Sequence, residues 1–275
     1  MKKIFSGVSI ALLGAALFGL DIFTYAPISG NVQSYTQTDF AVTSKFGNYF
    51  RTPSAKIIHN LNLAGKEVET TEYSPKDVEL SKIISKYDAT GNLTEQTCYD
   101  SNKEVLWKSV TTFKAGKKVD CSEYGKNGIL KGKVIYTYSD GVLSEETGYD
   151  GEGAILWKTV YKYDEENRVA EVNEYCGNGQ LDKQSTYTYA KNGKIDSIST
   201  FDNYLKKTET LVFKFTADGV LSQITTYDAD KQITKRIIVK CDSSNNVAKV
   251  SEYNIAQKFG TTVNELISVS EFIYQ

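Results

Sequence analysis

Apolar and polar residues alternate with a period of two through most of the chain, which is the pattern of β-strands with one apolar face. The segments Val134–Tyr138 and Leu211–Phe215 show it clearly, because Val, Leu, Tyr or Phe occupies every second position. No helical periodicity competes with this pattern in the same part of the chain. The alternation therefore predicts an all-β fold.

An aromatic residue recurs along these predicted strands at alternating steps of 14 and 11 or 12 residues, from Tyr73 to Tyr253, with Cys241 taking its place once. Two steps form a unit of 25 or 26 residues, and about eight units cover residues 56–254. Each unit has the length of one β-hairpin with its connection. The array predicts about sixteen short strands that pair antiparallel in sequence order.

Glycine or asparagine fills one position of the first turn in every unit. The eight residues are Gly65, Gly91, Gly116, Gly141, Asn167, Gly193, Gly219 and Asn245. Both residue types tolerate a positive φ, which a tight hairpin turn requires. We therefore predict a long antiparallel β-meander of about eight repeated hairpins. Right-handed twist should curl it into a twisted open sheet or a partial shell, with a spiral and a closed barrel as alternatives.

The two ends of the chain differ from the repeat domain at residues 56–254. Residues 27–55 are rich in Ser, Thr, Gln and Asn, which predicts an N-terminal linker or cap, and their aromatic residues suggest a docking edge. Residues 255–275 end in an alternating segment that predicts a C-terminal capping strand. Such caps protect the open edges of a repeat array.

The start of the chain has the pattern of a secretory leader. Lys2 and Lys3 precede an uncharged apolar stretch from Ile4 to Leu20, which is typical of a signal peptide. We place the signal peptide at residues 1–26, with cleavage near Ala26 or further upstream. An uncleaved membrane anchor is the alternative, although the stretch is short for a span. Export predicts a location in the periplasm, at the cell surface or outside the cell.

Four cysteines lie within predicted strands: Cys98, Cys121, Cys176 and Cys241. None forms a Cys-x-x-Cys pair, so the spacing does not predict a zinc site. Export would permit two disulfides. We interpret the cysteines as small side chains packed within strands.

The turn motif consists of an aromatic residue, Asp, a short variable stretch with Gly or Asn, and an aliphatic residue. It is clearest at Tyr87–Leu93 and Tyr163–Val169. This motif resembles the YD repeats of the bacterial RHS family, and the array is similar to shorter hairpin arrays of small exported bacterial proteins of unknown function. The resemblance implies a β-hairpin repeat fold. It does not imply toxin encapsulation, because the sequence contains no RHS-type processing region or toxin module.

Charge and residue types exclude several classes of function. The 32 basic and 34 acidic residues leave a net charge of −2, so no basic field exists to attract nucleic acid. His59 is the only histidine, which leaves at most one candidate for each histidine-dependent catalytic or metal site. The Asp-rich turns lack the spacing of a calcium-binding loop, and no glycine-rich loop leads into a helix.

Paired acids such as Glu145 and Glu146 could in principle support glycoside hydrolysis. They recur with the repeat, so we interpret them as solvated charge. The sequence thus predicts no catalytic residue, no metal site and no cofactor.

The recurrent tyrosines are explained by packing between strands. Four aromatic residues are candidates for ligand contact: Trp107, Trp157, Tyr161 and Tyr204. We expect an exported, non-enzymatic repeat scaffold that binds a protein or a glycan at the cell envelope and meets the membrane only through its signal segment. An outer-membrane β-barrel is the first alternative, because many alternating antiparallel strands are also typical of that class. A carbohydrate-active enzyme is the second.

Overall fold

The computed structural model describes residues 21–258 and 260–275, which form an all-β fold. The predicted signal peptide falls mainly on residues 1–20, which lie outside the described residues. A helix of four residues, α1 Ile22–Tyr25, precedes the strands. The strands are β1 Ser34–Lys45, β2 Asn48–Leu61, β3 Glu67–Tyr73, β4 Glu79–Tyr87, β5 Leu93–Asp100, β6 Val105–Lys114, β7 Lys117–Gly125, β8 Leu130–Ser139, β9 Val142–Asp150, β10 Ile155–Tyr163, β11 Val169–Cys176, β12 Leu181–Tyr189, β13 Ile195–Asp202, β14 Lys207–Phe215, β15 Leu221–Tyr227, β16 Ile233–Cys241, β17 Val247–Lys258 and β18 Thr261–Tyr274.

Neighbouring strands are hydrogen-bonded in sequence order, so the predicted antiparallel meander is confirmed. The first and last strands also pair, in a register that runs from Tyr35 opposite Tyr274 to Ala41 opposite Ser268. The 18-stranded sheet therefore closes into a β-barrel. The prediction of a twisted open sheet or partial shell is wrong on this point. Residues 27–55 supply β1 and the start of β2, and β1 satisfies the hydrogen bonds that an open edge would leave.

An aspartate that follows the repeat aromatic residue organises many of the turns. Asp88 accepts hydrogen bonds at 2.9 Å from the backbone N–H groups of both Thr90 and Asn92. The same pair of bonds, two and four residues along the chain, is made by Asp100, Asp150, Asp164, Asp228 and Asp242. The bonds to Asn92 and Thr90 lower the pKa of the Asp88 carboxyl to about 2. The recurring chemistry of the repeat motif is thus a carboxylate that closes the turn.

We expect Asp88→Asn to remove a pH-dependent contribution to stability. Because the pKa of Asp88 is lower in the folded chain, its contribution is present above the unfolded pKa of about 4 and is lost as the pH falls toward about 2. At neutral pH the variant should melt about 2–4 °C lower. Thermal unfolding across the acidic range measures both effects. Asp196→Asn, at an exposed position of β13, is the control and should leave the pH profile unchanged.

Two of the repeat tyrosines link neighbouring strands through their hydroxyl groups. Tyr163 donates to the carbonyl of Leu143 at 2.6 Å, and Tyr189 donates to the carbonyl of Val169 at 2.8 Å. Each bond joins the end of one strand to the start of the strand before it. The ring lies beside the turn and its polar end is satisfied by backbone, which accounts for tyrosine at these positions of the repeat.

The strands fall into two compact units, and each is described by itself. Unit 1 comprises Ile83–Glu209, and unit 2 comprises the described part of Ile10–Lys82 together with Thr210–Gln275. In unit 2 the helix α1 packs on the sheet, because the Phe23 ring lies 5.6 Å from the rings of both Tyr35 and Phe272. The most buried apolar side chains of this unit are Leu221, Ile224, Ile237, Val247, Val250 and Val269.

The core of unit 1 uses alternate positions of its strands. Cys121 of β7 lies opposite Val134 of β8, and both are buried. The other buried apolar side chains of this unit are Ile83, Cys98, Val172, Ile195 and Ile198. In unit 1, we call the face of the sheet that carries Cys121 and Val134 the core face. In unit 2, the core face is the one on which α1 packs.

Candidate functional site

A buried polar cluster lies on the core face of unit 2. His59 of β2 is fully buried, and its Nδ1 lies 2.6 Å from Oε2 of Glu67 in β3. The imidazole stacks on the ring of Tyr35 at a centroid distance of 4.2 Å and an angle of 6°. The other oxygen of Glu67 accepts a hydrogen bond from the Thr70 hydroxyl. These contacts, which we call the His59 cluster, hold the single histidine in one orientation.

Two buried polar atoms of this face have no hydrogen-bond partner within residues 21–258 and 260–275, His59 Nε2 and Gln37 Oε1. The Gln37 amide donates to both carboxylate oxygens of Asp39 at 2.9 and 3.0 Å. A carboxylate–imidazole pair can activate a hydroxyl or thiol that faces Nε2. Among the described residues no such group bonds to this Nε2, so the contacts seen here do not form a catalytic triad.

A second cluster lies on the core face of unit 1, and we call it the Glu146 cluster. It consists of Lys118, Tyr136, Glu146 and Tyr161. Tyr136 of β8 lies opposite Glu146 of β9, and the Tyr161 hydroxyl of β10 is hydrogen-bonded to the Glu146 carboxylate. Lys118 Nζ lies 5.6 Å from the centroid of the Tyr136 ring. One acid, one cation and two aromatic rings therefore meet on one face.

Burial raises the pKa of the Glu146 carboxyl, and the charge of Lys118 and the hydrogen bond from Tyr161 offset only part of this effect. Burial likewise raises the pKa of the Tyr136 and Tyr161 hydroxyls. Half-buried Glu146 thus differs from the solvated charge that the sequence analysis expected. Glu145 forms an ion pair with Lys158 at 3.0 Å on the opposite face. The sequence contained one signal of this difference: Glu145 and Glu146 are adjacent, and consecutive residues of a strand point to opposite faces, so only one of the two can face the core.

The structure brings together only two of the four predicted ligand-contact residues. Trp157 and Tyr161 lie on β10 on the face of the Glu146 cluster, and Trp157 is opposite Gly148. Trp107 lies on β6, four strands earlier in the hydrogen-bonded order. Tyr204 lies in the turn between β13 and β14 and is 86% exposed. Trp157 and Tyr161 are therefore the pair that a single ligand could contact.

A surface groove of 460 Å³ lies beside β6 and the turn between β7 and β8. It is lined by Val105, Lys108, Val110, Tyr124, Gly125, Lys126 and Gly128. Its lysines are engaged in ion pairs, Lys108 with Glu95 at 2.6 Å and Lys126 with Glu104 at 2.5 Å. The groove has an apolar wall, and its lining residues include no Asp, Glu, Ser, Thr or Cys.

Other site chemistry is limited in the described ranges. There, no group of three or more His, Cys, Asp and Glu side chains is arranged to hold a metal ion. Cys98, Cys121, Cys176 and Cys241 are free thiols; the first two are buried and the other two are partly exposed. No helix among the described residues has both the length and the apolar character needed to cross a membrane.

Ionisable side chains occupy both faces of the sheet. On the face opposite the core, ion pairs cross neighbouring strands at 2.6 to 3.2 Å: Lys86–Glu95, Lys108–Glu95, Lys158–Glu145 and Lys162–Glu171 in unit 1, and Lys82–Glu69 and Lys249–Glu271 in unit 2. The core faces carry Glu146 in unit 1 and the His59–Glu67 pair in unit 2. Neither face is a continuous apolar band.

Comparison with solved structures relates this fold to porin-like proteins. The chain is similar to a porin-like protein from Bacteroides uniformis ATCC 8492, with a TM-score of 0.50 and 10% identity over 90% of this chain and 99% of that chain. A porin-like protein from Bacteroides vulgatus ATCC 8482 aligns with a TM-score of 0.36 and 10% identity, covering 89% and 98% of the two chains. The TcdB2-TccC3 structure aligns with a TM-score of 0.24 and 12% identity. The alignment covers 83% of this chain but only 20% of that chain.

Identity this low shows the fold alone. No protein-family model matches the chain, and no curated protein is similar to it in sequence. The resemblance to YD repeats therefore has no support from a family model. The likeness to a porin-like structure favours the barrel of the first alternative over the open repeat scaffold that we expected.

Proposed function

We propose that this protein is an exported, non-enzymatic β-barrel that works in water and binds a glycan at the bacterial cell envelope through the face of the Glu146 cluster. The observation that carries the proposal is the presence of ionisable groups on both faces of the strands. A barrel in a membrane needs an outward apolar band, and a charged side chain placed in lipid is strongly unfavourable. Cross-strand pairs such as Lys86–Glu95 on one face and Glu146 on the other are compatible with water on both sides.

An outer-membrane barrel is the second candidate, and the closed 18-stranded sheet and its porin-like neighbour favour it. The architecture of an outer-membrane barrel agrees with this fold. The outward apolar band that such a barrel requires does not agree with the ionisable side chains on both faces of the strands. In addition, β3 and β15 have only 7 residues, whereas a strand that spans a bilayer needs about 9–11. Our proposal therefore retains the barrel of this alternative without its insertion into a membrane.

The ligand class follows from the side chains near Glu146. The rings of Trp157 and Tyr161 offer apolar surfaces on one strand, and the Glu146 carboxylate can accept hydrogen bonds. Ligand sites combine such apolar surface with a few placed polar groups. A neutral saccharide presents a ring with apolar C–H groups and hydroxyl donors, so it matches both parts of this face.

The first test uses the exported and processed protein purified without detergent. We expect a soluble species with strand-dominated circular dichroism. Trp107→Phe leaves Trp157 as the only tryptophan. In that variant, cellotetraose or chitotetraose should change the fluorescence saturably, because the reporter lies on the ligand face.

The matched control is Trp157→Phe, in which Trp107 reports from a strand outside the Glu146 cluster. Its fluorescence should not respond to the same saccharides. Aggregation that only detergent reverses would contradict the proposal and favour the outer-membrane barrel. Equal responses in both variants, or no response in either, would exclude this ligand face. Hydrolysis of the saccharide would instead support the carbohydrate-active enzyme.

A further inference from the structure

The hairpin of β1 and β2 in unit 2 extends beyond the part of the sheet where both strands have outer neighbours. The register of β1 with β18 ends at Ala41, and the register of β2 with β3 begins at Lys56. The two strands remain paired with each other as far as Lys45 and Asn48. The end of this hairpin is thus a two-stranded ribbon, which we call the β1–β2 tip and define as residues 42–52.

Phe46 occupies the turn of this tip in a conformation that a bulky residue avoids. Its φ is 52° and that of Gly47 is 79°, the two positive values of a type I′ hairpin turn. Two other turns of this kind carry Ala115 and Asp140 at the same place. Asn and Asp are favoured there, so phenylalanine destabilises the turn. In return, its ring stands at the end of the hairpin with an exposure of 102%.

The residues around Phe46 add apolar rings and positive charge. Tyr49 and Phe50 are also exposed. Residues 42–52 contain Lys45 and Arg51 and no acid, in a chain with a net charge of −2. Arg51 forms an ion pair with Glu271 at 2.9 Å, which leaves Lys45 as the cation nearest the ring in sequence.

The neighbouring hairpin of β17 and β18 carries the same tripeptide at its end. Lys258-Phe259-Gly260 repeats Lys45-Phe46-Gly47, and residues 254–264 also contain no acid. Phe259 lies outside the described residues, and the site consists of the β1–β2 tip alone. The Tyr49 hydroxyl donates to the carbonyl of Asn264 at 3.1 Å, so the tip is held against β18.

We propose that the β1–β2 tip docks on an anionic lipid surface, with the Phe46 ring inserted at the headgroup level and Lys45 near the phosphates. Apolar side chains such as Phe are buried at the boundary between headgroups and acyl chains, and basic side chains are attracted to anionic lipids. A single fully exposed ring on a convex tip suits a deformable surface, whereas a protein partner would need a pocket of matching shape. This docking does not depend on the glycan face of the proposed function.

The experiment measures cosedimentation of the exported and processed protein with vesicles of phosphatidylglycerol and phosphatidylcholine. Phe46→Asn should weaken binding about tenfold, because it removes the inserted ring. Lys45→Gln should weaken it about fivefold, and added salt should weaken binding of the wild type. Asn-Gly is a favoured sequence for this turn, so Phe46→Asn should keep the wild-type circular dichroism and melt at the same or a higher temperature.

Tyr204→Asn is the matched control, because it removes an exposed aromatic ring from a turn of unit 1, and its binding should equal that of the wild type. The proposal is overturned by absence of wild-type binding to these vesicles, or by equal binding of wild type and Phe46→Asn. Binding to immobilised polyglutamate but not to vesicles would also overturn it, and would assign the tip to an acidic protein partner.

Discussion

Replacement of His59 by alanine is expected to lower the free energy of unfolding by about 3–5 kcal/mol, the range for truncating a buried aromatic side chain to alanine. The change removes the ring that stacks on Tyr35 and leaves the largely buried Glu67 carboxylate without its imidazole partner. Urea unfolding followed by far-UV circular dichroism measures the loss. A loss below about 0.5 kcal/mol, the size of an ordinary surface effect, would contradict this view of the cluster.

Two further variants separate the stacking of the ring from its polar contact. His59→Phe keeps a ring against Tyr35 but cannot bond to Glu67, so it should destabilise the fold less than His59→Ala. Combining His59→Phe with Glu67→Met removes both polar partners, and part of the lost stability should return because no buried carboxylate then faces an apolar ring in place of the imidazole. If the double variant were no better than His59→Phe alone, the stack rather than the polar contact would dominate.

Substitution of Gly148 by valine is expected to have the next largest effect, and should lower the free energy of unfolding by about 1–3 kcal/mol. A Cβ atom at this position would lie 2.3 Å from the Trp157 ring, so the ring would have to leave its place on the strand. Thermal unfolding measures the effect. In the Trp107→Phe background, the fluorescence of the displaced Trp157 should shift to the red.

A double-mutant cycle tests the cause. With Trp157→Ala the steric conflict disappears, so Gly148→Val should then have a much smaller effect than in the wild type. Equal effects of Gly148→Val in both backgrounds would show that the glycine is required for another reason. The Trp157→Ala variant of the same cycle also measures how much the Trp157 ring, which we assign to the ligand face, contributes to the free energy of unfolding.

The local structure of the repeats was predictable because its causes are local. The alternation in Val134–Tyr138 and the Gly or Asn positions of the turns predict hairpins without reference to the rest of the chain. The aspartate of the motif also acts locally, since Asp88 bonds to N–H groups two and four residues away. For these elements, the residues that determine the conformation are close in sequence.

The candidate site was predictable only in part. The sequence analysis named Trp157 and Tyr161 among four candidates for ligand contact, and the structure places both on one strand beside Glu146. The sequence did not distinguish these two residues from Trp107 and Tyr204, because the register between strands decides which residues become neighbours. Glu146 was missed because an acid in a Glu-Glu pair resembles a surface residue until its face of the strand is known.

The sequence by itself determined that this chain is a meander of antiparallel hairpins, because spacing, turn residues and alternation all act within one unit. Only the tertiary structure decided that the sheet closes. Closure depends on β1 meeting β18, a contact between Tyr35 and Tyr274 that no local pattern specifies. The burial of His59 and Glu146 was decided in the same way, since a side chain loses contact with water only when distant strands cover it.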